Sequence, residues 1–271
     1  MLAEEKYRIC REGLKGYGEQ AGFSDVVIGL SGGIDSALAA AMSVDAFGAG
    51  HVHGVMLPGP YSSSHSLEDA GELAGNLGIT ATAISIVGPF EAFRHAFEAG
   101  GAGPVAPFAA ENIQARCRMV CLMALSNTHG WMVVNTGNKS ESLVGYATLY
   151  GDMAGAYGPL GGLYKTEVYE LARWRNAQDE AWGKRPSIPL HILEKPPSAE
   201  LAPGQEDEKC LGISYAELDQ ILAALVEEGR TIDEVCSMGH EEGQVKRVVA
   251  RMEANAFKLP FVPPSPKGIL H

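Results

Sequence analysis

Residues 26–36 read Val-Val-Ile-Gly-Leu-Ser-Gly-Gly-Ile-Asp-Ser, and the run Ala37-Leu38-Ala39-Ala40-Ala41-Met42 follows directly. A β-branched apolar run, a turn of small residues and a run of good helix formers spell buried strand, tight turn and helix. The helix N-terminus then aims several backbone N–H groups at one point, which suits an anion and, above all, phosphate. Ser31 and Ser36 add hydroxyls to this nest, while Gly32 and Gly33 leave the main chain bare for close approach. The turn holds no lysine, so it is not the Gly-x-x-x-x-Gly-Lys-Ser/Thr cradle, and no Gly-x-Gly-x-x-Gly fingerprint is present. Asp35 stands there instead. A carboxylate beside a polyphosphate is repelled unless a cation lies between them, so Asp35 is expected to hold Mg²⁺ together with phosphate oxygens.

A second turn of the same kind follows residues 131–135, which read as a strand running into Thr136-Gly137-Asn138-Lys139-Ser140-Glu141. Asp35 and Glu141, on neighbouring strand-to-helix turns, can share one cation where negative charge develops on a pyrophosphate leaving group. Either carboxylate alone could equally be a helix cap; together with Thr136 they favour catalysis. Residues 109–129 read as a long helix in which Asn112 and Arg116, four apart, point an amide and a guanidinium the same way. Lys165 heads a further helix, an unfavourable place for a cation in the macrodipole, which favours a ligand role. His53 and His65 are read as structural. Cys117 and Cys121 share a helix face, but two ligands rarely make a zinc site, so both are assigned to packing.

Ser31-Gly32-Gly33-Ile34-Asp35-Ser36 resembles the pyrophosphate-binding loop of the N-type ATP pyrophosphatases. Thr-Gly-Asn-Lys-Ser-Glu followed by Gly145-Tyr146-Ala147-Thr148-Leu149-Tyr150-Gly151-Asp152 narrows this, and so do residues 111–118, Tyr164-Lys165-Thr166-Glu167-Val168-Tyr169 and Pro197-Ser198-Ala199-Glu200-Leu201. In this order they resemble the NAD⁺ synthetase family over about residues 25–225. The resemblance implies that ATP contacts Gly29, Leu30, Ser31, Gly32, Gly33, Ile34, Asp35, Ser36, Thr136, Lys165 and Ser198, with Asp35 and Glu141 on magnesium. It implies that deamido-NAD⁺ contacts Asn112, Arg116, Tyr146, Ala147, Thr148, Leu149 and Lys258, at the interface of a homodimer. Near the C-terminus the family's basic cluster is replaced by Phe257-Lys258-Leu259-Pro260, a departure that bears on the role of Lys258.

The implied reaction is amidation of deamido-NAD⁺ through an adenylylated nicotinate carboxylate, which releases pyrophosphate and then AMP. Asp35, Glu141 and Lys165 are the expected catalytic residues. The motifs look like the synthetase part of the glutamine-dependent type, yet only about 25 residues precede the first strand, too few for a glutaminase domain. Free ammonia is therefore expected, and a separate glutaminase partner remains open. Two rivals stand beside this reading. One is a pyrophosphatase-loop ligase with another acceptor; the other is a nucleotide-binding module without chemistry, against which the joint presence of Asp35, Glu141 and Lys165 argues.

The elements that must position these residues alternate. Residues 52–57 and 80–87 read as further strands, with a helix over 67–77 between them on a Leu67, Ala70, Leu73, Ala74, Leu77 stripe. Such alternation predicts an α/β fold, a doubly wound parallel sheet of the Rossmann-like adenine nucleotide α-hydrolase type, with a helical C-terminal region. One domain is expected over residues 1–271, with an N-terminal helix (1–22), a nucleotide-binding core (23–190), a mobile loop (191–210), and C-terminal helices and tail (211–271). The loop is expected to close over ATP through Ser198. Residues 100–107 read as a surface loop, and Pro263-Pro264-Ser265-Pro266 as an extended tail lying on a partner subunit.

Composition sets the outer limits. A net charge of −12 and a pI near 5.1 argue against non-specific nucleic-acid or anionic-membrane binding, so any anionic substrate must meet local cations. Glu4, Glu5, Lys6 and Arg8 stand where a signal peptide needs an apolar stretch, no run is long enough to span a membrane, and the five cysteines form no Cys-x-x-Cys pair. A cytoplasmic, reduced setting is expected.

Overall fold

The structure is a computed structural model and describes residues 1–269 and 271. Its elements run α1 (Ala3–Ala21), β1 (Val26–Gly29), α2 (Ile34–Phe47), β2 (Val52–Met56), α3 (Ser64–Leu77), β3 (Thr80–Ala83), α4 (Val87–Ala99), α5 (Pro107–His129), β4 (Met132–Val133) and α6 (Lys139–Val144). The C-terminal part continues with α7 (Lys165–Ala181), α8 (Leu190–Glu194), α9 (Asp207–Leu211), α10 (Tyr215–Val226), α11 (Ile232–Ser237) and α12 (Glu242–Asn255).

All strand pairs are parallel and their order is β3-β2-β1-β4. The chain therefore reverses direction across the sheet between β1 and β4, and the carboxyl ends of these two strands open a crevice. Val26 and Ile28 face a cluster built from α1, α2, α3 and α7, whereas Val27 and Val55 face α5. Helices thus cover both faces, as the unbroken apolar run of β1 requires. Leu38 through Met42 are wholly buried, so α2 is the sheet's central support.

One expectation needs correction. The third strand ends at Ala83, and α4 takes up Val87 and the residues after it. Phe90, Phe93 and Phe97 carry helical spacing that the Gly88-Pro89 pair obscures, because proline is tolerated in a first helical turn. The tail, for its part, lies on its own chain: Gly158 N–H donates to the Pro264 carbonyl at 2.9 Å, and Ser265 and Ile269 fit against Gly161 and Gly162. Close packing on glycines within the same chain holds the segment. The stretch 191–210 carries the end of α8 and most of α9 at its two ends.

Gly32 shows why the first turn needs its composition. Its φ is +74°, and a Cβ there would lie 2.2 Å from the Ser66 carbonyl oxygen in the first turn of α3. Gly33, by contrast, has φ −94° and would place a Cβ 3.3 Å from Ser31 Oγ. Gly32→Ala is therefore expected to cost at least about 1–3 kcal/mol and Gly33→Ala clearly less, a difference read from urea midpoints at constant m.

Candidate active site

Three helices begin at the crevice, and each delivers one charged side chain. Asp35 lies in the first turn of α2, Glu141 in the first turn of α6, and Lys165 is the first residue of α7. The Lys165 ammonium meets Asp35 Oδ2 at 2.5 Å and Glu141 Oε1 at 3.1 Å. Only 2% of the Lys165 side chain is exposed, against 19% for Asp35 and 18% for Glu141, so the cation is buried behind two carboxylates that open to the cleft.

A single amide keeps the two acidic turns in register. Asn138 caps α6 by accepting from Glu141 N–H at 3.0 Å, and its Nδ2 donates to Asp35 Oδ1 at 2.9 Å. Behind it, Ser140 Oγ donates to Asp219 Oδ1 at 2.5 Å and accepts from Lys165 N–H at 2.8 Å, while Thr166 N–H donates to Asp219 Oδ2 at 2.8 Å. The starts of α6 and α7 are thus tied to α10. The α10 residue Tyr215 donates its hydroxyl to Glu141 Oε1 at 3.3 Å, and its ring lies 5.1 Å from the Lys165 ammonium.

The charges do not balance. Asp207, on α9, faces the same cleft, accepts from Tyr146 OH and Ala199 N–H, both at 3.1 Å, and adds its field to that of Asp35 and Glu141. Burial by the cleft walls, with Asp35 and Asp207 adding to it, pushes the Glu141 carboxyl up to about 7 despite Lys165. Burial alone would lower the Lys165 ammonium, but Asp35 and Glu141 together carry it far above its ordinary range. A cluster that holds one ammonium and three carboxylates is short of positive charge.

The cleft above this cluster has a volume of about 320 Å³, enough for part of a nucleotide, and opens to solvent. Gly29, Leu30, Ser31, Gly33, Ile34, Asp35, Ser36, Thr136, Lys165 and Ser198 all line it, as do Tyr146 and Ala147; Gly32 sits behind them against α3. The serine hydroxyls are engaged within the turn: Ser36 Oγ donates to the Gly33 carbonyl at 3.0 Å and accepts from Ser31 N–H at 3.2 Å. Ser198 Oγ likewise donates to the Gln205 carbonyl at 2.5 Å.

The residues assigned to the second substrate meet one another. Asn112 Oδ1 accepts from Thr148 Oγ1 at 2.7 Å, Arg116 Nε donates to the Leu149 carbonyl at 3.2 Å, and Lys258 Nζ donates to the Gly145 and Ala147 carbonyls, both at 2.9 Å. All three side chains bind the segment 145–149. Sequence reasoning passed over Asn138, Asp207 and Tyr215; the Asn-x-x-Glu capping pattern was legible for the first, whereas nothing local marks the other two.

The chain matches the NAD synthase family model over residues 7–262. It belongs to that family. The glutamine-dependent NAD(+) synthetase of Rhodobacter capsulatus is 47% identical over 267 residues, which are 97% of this chain and 48% of that protein. The glutamine-dependent enzyme of Thermotoga maritima is 44% identical, over 94% of this chain and 43% of its own length. The chain thus spans about half the length of these synthetases, in agreement with motifs that looked like the synthetase part of the glutamine-dependent type. Among solved structures, NH3-dependent NAD synthetase from Campylobacter jejuni covers all of both chains with 29% identity and a TM-score of 0.75. NMN synthetase from Francisella tularensis covers all of this chain and 98% of its own, with 29% identity and a TM-score of 0.80. The family match and these neighbours bear out the synthetase resemblance and the parallel α/β fold. None of the described helices is long and apolar enough to cross a membrane.

The raised carboxyl makes the site of this synthase-family chain sensitive to pH. Glu141 binds its proton in the fold above its unfolded value of 4.5, so the stability it contributes is present below that value and lost as pH rises through about 7. A cation held by Glu141 would compete with that proton, so its affinity would run the opposite way. Mg²⁺-dependent ATP binding, measured by titration calorimetry, is expected to strengthen from about pH 6 to about pH 8, and Glu141→Gln is expected to flatten that dependence.

Proposed function

We propose that the chain amidates deamido-NAD⁺ with ammonia at the expense of ATP, through an adenylylated nicotinate carboxylate, and releases pyrophosphate and AMP. One observation carries this reading: in a chain of the NAD synthase family, Asp35, Glu141 and Lys165 converge at the floor of the cleft that the residues 29–36 turn lines. A carboxylate is a poor acyl donor until its oxygen becomes part of a leaving group. Transfer of the adenylyl group supplies that, and the scheme needs no protein nucleophile. What the protein must do is hold two anionic substrates together and offset the charge that builds on pyrophosphate.

The donor set fits magnesium. Mg²⁺ prefers hard oxygen ligands, usually keeps several waters and binds through one or two carboxylates plus substrate phosphates. Asp35 and Glu141 are such a pair, and the described residues contain no group of three or more His, Cys, Asp or Glu side chains that would form a complete protein cage. Asp35 and Glu141 would hold the ion; when bound, it offsets charge on the departing pyrophosphate. Around it, Lys165 fixes the spacing of the two carboxylates and the N-terminus of α2 meets phosphate with its N–H groups. The turn 145–149, braced by Asn112, Arg116 and Lys258, presents Tyr146 and Ala147 to the second substrate, and a homodimer that completes this side belongs to the same proposal.

A second reading differs only in the acceptor, since one structural neighbour is an NMN synthetase. The deciding experiment supplies ATP, magnesium and ammonium with deamido-NAD⁺ or, separately, nicotinate mononucleotide, and follows AMP, pyrophosphate and the amide product. Formation of NAD⁺ with AMP in equal amounts is expected. Release of ADP and orthophosphate, or turnover that persists in chelator, contradicts the mechanism. Asp35→Asn and Glu141→Gln are each expected to lower kcat by at least about 10²-fold, because each removes a charged metal ligand.

A further inference from the structure

The segment 198–205 is folded into a compact knot beside the cleft. Ser198 Oγ accepts from Glu200 N–H at 3.1 Å, Leu201 N–H donates to Gln205 Oε1 at 2.8 Å, and Ala199 N–H donates to Asp207. Glu200 projects from its tip with φ +48°, a left-handed conformation that a residue with a Cβ adopts only when its surroundings enforce it. What enforces it lies on α3. Glu200 Oε1 accepts from Ser63 Oγ at 2.8 Å and Ser66 Oγ at 2.7 Å, and Oε2 accepts from Ser63 N–H at 3.1 Å. A carboxylate at the N-terminus of a helix is favoured twice, by charge-assisted hydrogen bonds and by the macrodipole. One residue on, the Leu201 carbonyl accepts from Gln114 Nε2 of α5 at 2.9 Å.

The two anchors lie on opposite walls of the crevice. Ser62, Ser66 and Leu67 line it from the α3 side, and Ala115, Arg118 and Met119 from the α5 side. Residues 198–201 bridge them. The α3 anchor also abuts the Gly32 turn, because the Ser66 carbonyl oxygen lies 2.2 Å from where a Cβ on Gly32 would stand. A pull on Ser66 is therefore felt at the turn expected to cradle the triphosphate.

We infer that Glu200 is a latch: a positioning residue that fastens the 198–205 segment to the start of α3, and so holds the nucleotide cleft in its closed form with the Gly32 turn in place. Glu200 touches no reacting atom in this account. It sets the fraction of molecules that are closed, and apparent nucleotide affinity scales with that fraction. The inference takes its nucleotide from the reading proposed above.

The test uses the full chain with Mg·ATP and no acceptor, so that binding is read without chemistry. Glu200→Ala is expected to weaken ATP about tenfold and to raise amide hydrogen exchange at Ala199 and Leu201 by a similar factor, with exchange in α7 unchanged. Glu200→Gln retains an acceptor and is expected to recover part of both effects. Glu200→Gly separates latch from backbone: it relieves the left-handed conformation while removing the carboxylate, and is expected to behave like Glu200→Ala. Ser66→Ala, which leaves the segment itself untouched, is expected to weaken ATP in the same direction and to add little to Glu200→Ala in the double variant. Wild-type exchange and affinity in both Glu200→Ala and Glu200→Gly overturn the inference, as does a Glu200→Gly protein that binds ATP more tightly than wild type. A chain that shows the exchange and affinity effects but releases no AMP with any acceptor sinks the proposed reaction and leaves the latch standing.

Discussion

The Lys165 ammonium, buried between Asp35 and Glu141, is the contact on which the molecule is arranged. An ammonium leaves water only where anions replace its solvation, and two anions approach one another only with a cation between them. Each part therefore requires the others. Because α2, α6 and α7 each contribute one of the three charges, the requirement fixes how three helices start relative to β1 and β4. The doubly wound sheet provides the place, since its direction reverses between these strands.

The contact is held from behind. Asn138 binds the two acidic turns to each other, and the Ser140–Asp219–Thr166 set binds the starts of α6 and α7 to α10. The C-terminal helices form a separate apolar cluster around Leu218, Ile221 and Leu222, and Tyr164 and Val144 join it from the core. That cluster buttresses the site rather than decorating it, as it supplies Tyr215 to Glu141 and stands next to Asp207. A rigid frame of this kind suits chemistry that works by placing charges, where reorganisation during reaction is the cost to be avoided. Burial in that frame, with Asp35 and Asp207 adding to it, is what raises the Glu141 carboxyl.

Legibility followed how local each signal is. The residues 26–36 turn could be read because strand, glycine pair and helix are contiguous, and a helix N-terminus attracts anions whatever the rest of the fold does. The α4 helix was missed where proline near its start masked a phenylalanine periodicity. Asp207 and Tyr215 carry no signal in their neighbourhood; only the return of the C-terminal helices onto α6 brings them to Glu141. Asn112, Arg116 and Lys258 were read as contacting a ligand; in the fold Arg116 and Lys258 donate to backbone carbonyls of 145–149 and Asn112 accepts from the Thr148 hydroxyl, partners that spacing along a helix cannot foretell.

Residue order alone settled where the two strand-to-helix turns lie, which carboxylates stand beside them, and that strands and helices would alternate in a parallel sheet, because these depend on interactions within about ten residues. Tertiary structure decided the rest: that Lys165 lies inside a carboxylate pair, that Glu200 reaches α3 across the cleft, and that the proline-rich tail lies on its own chain. Those outcomes join residues up to 137 positions apart in the case of Glu200 and Ser63. Packing of whole elements, and the need to give every buried charge a partner, is the physics that brings such residues together.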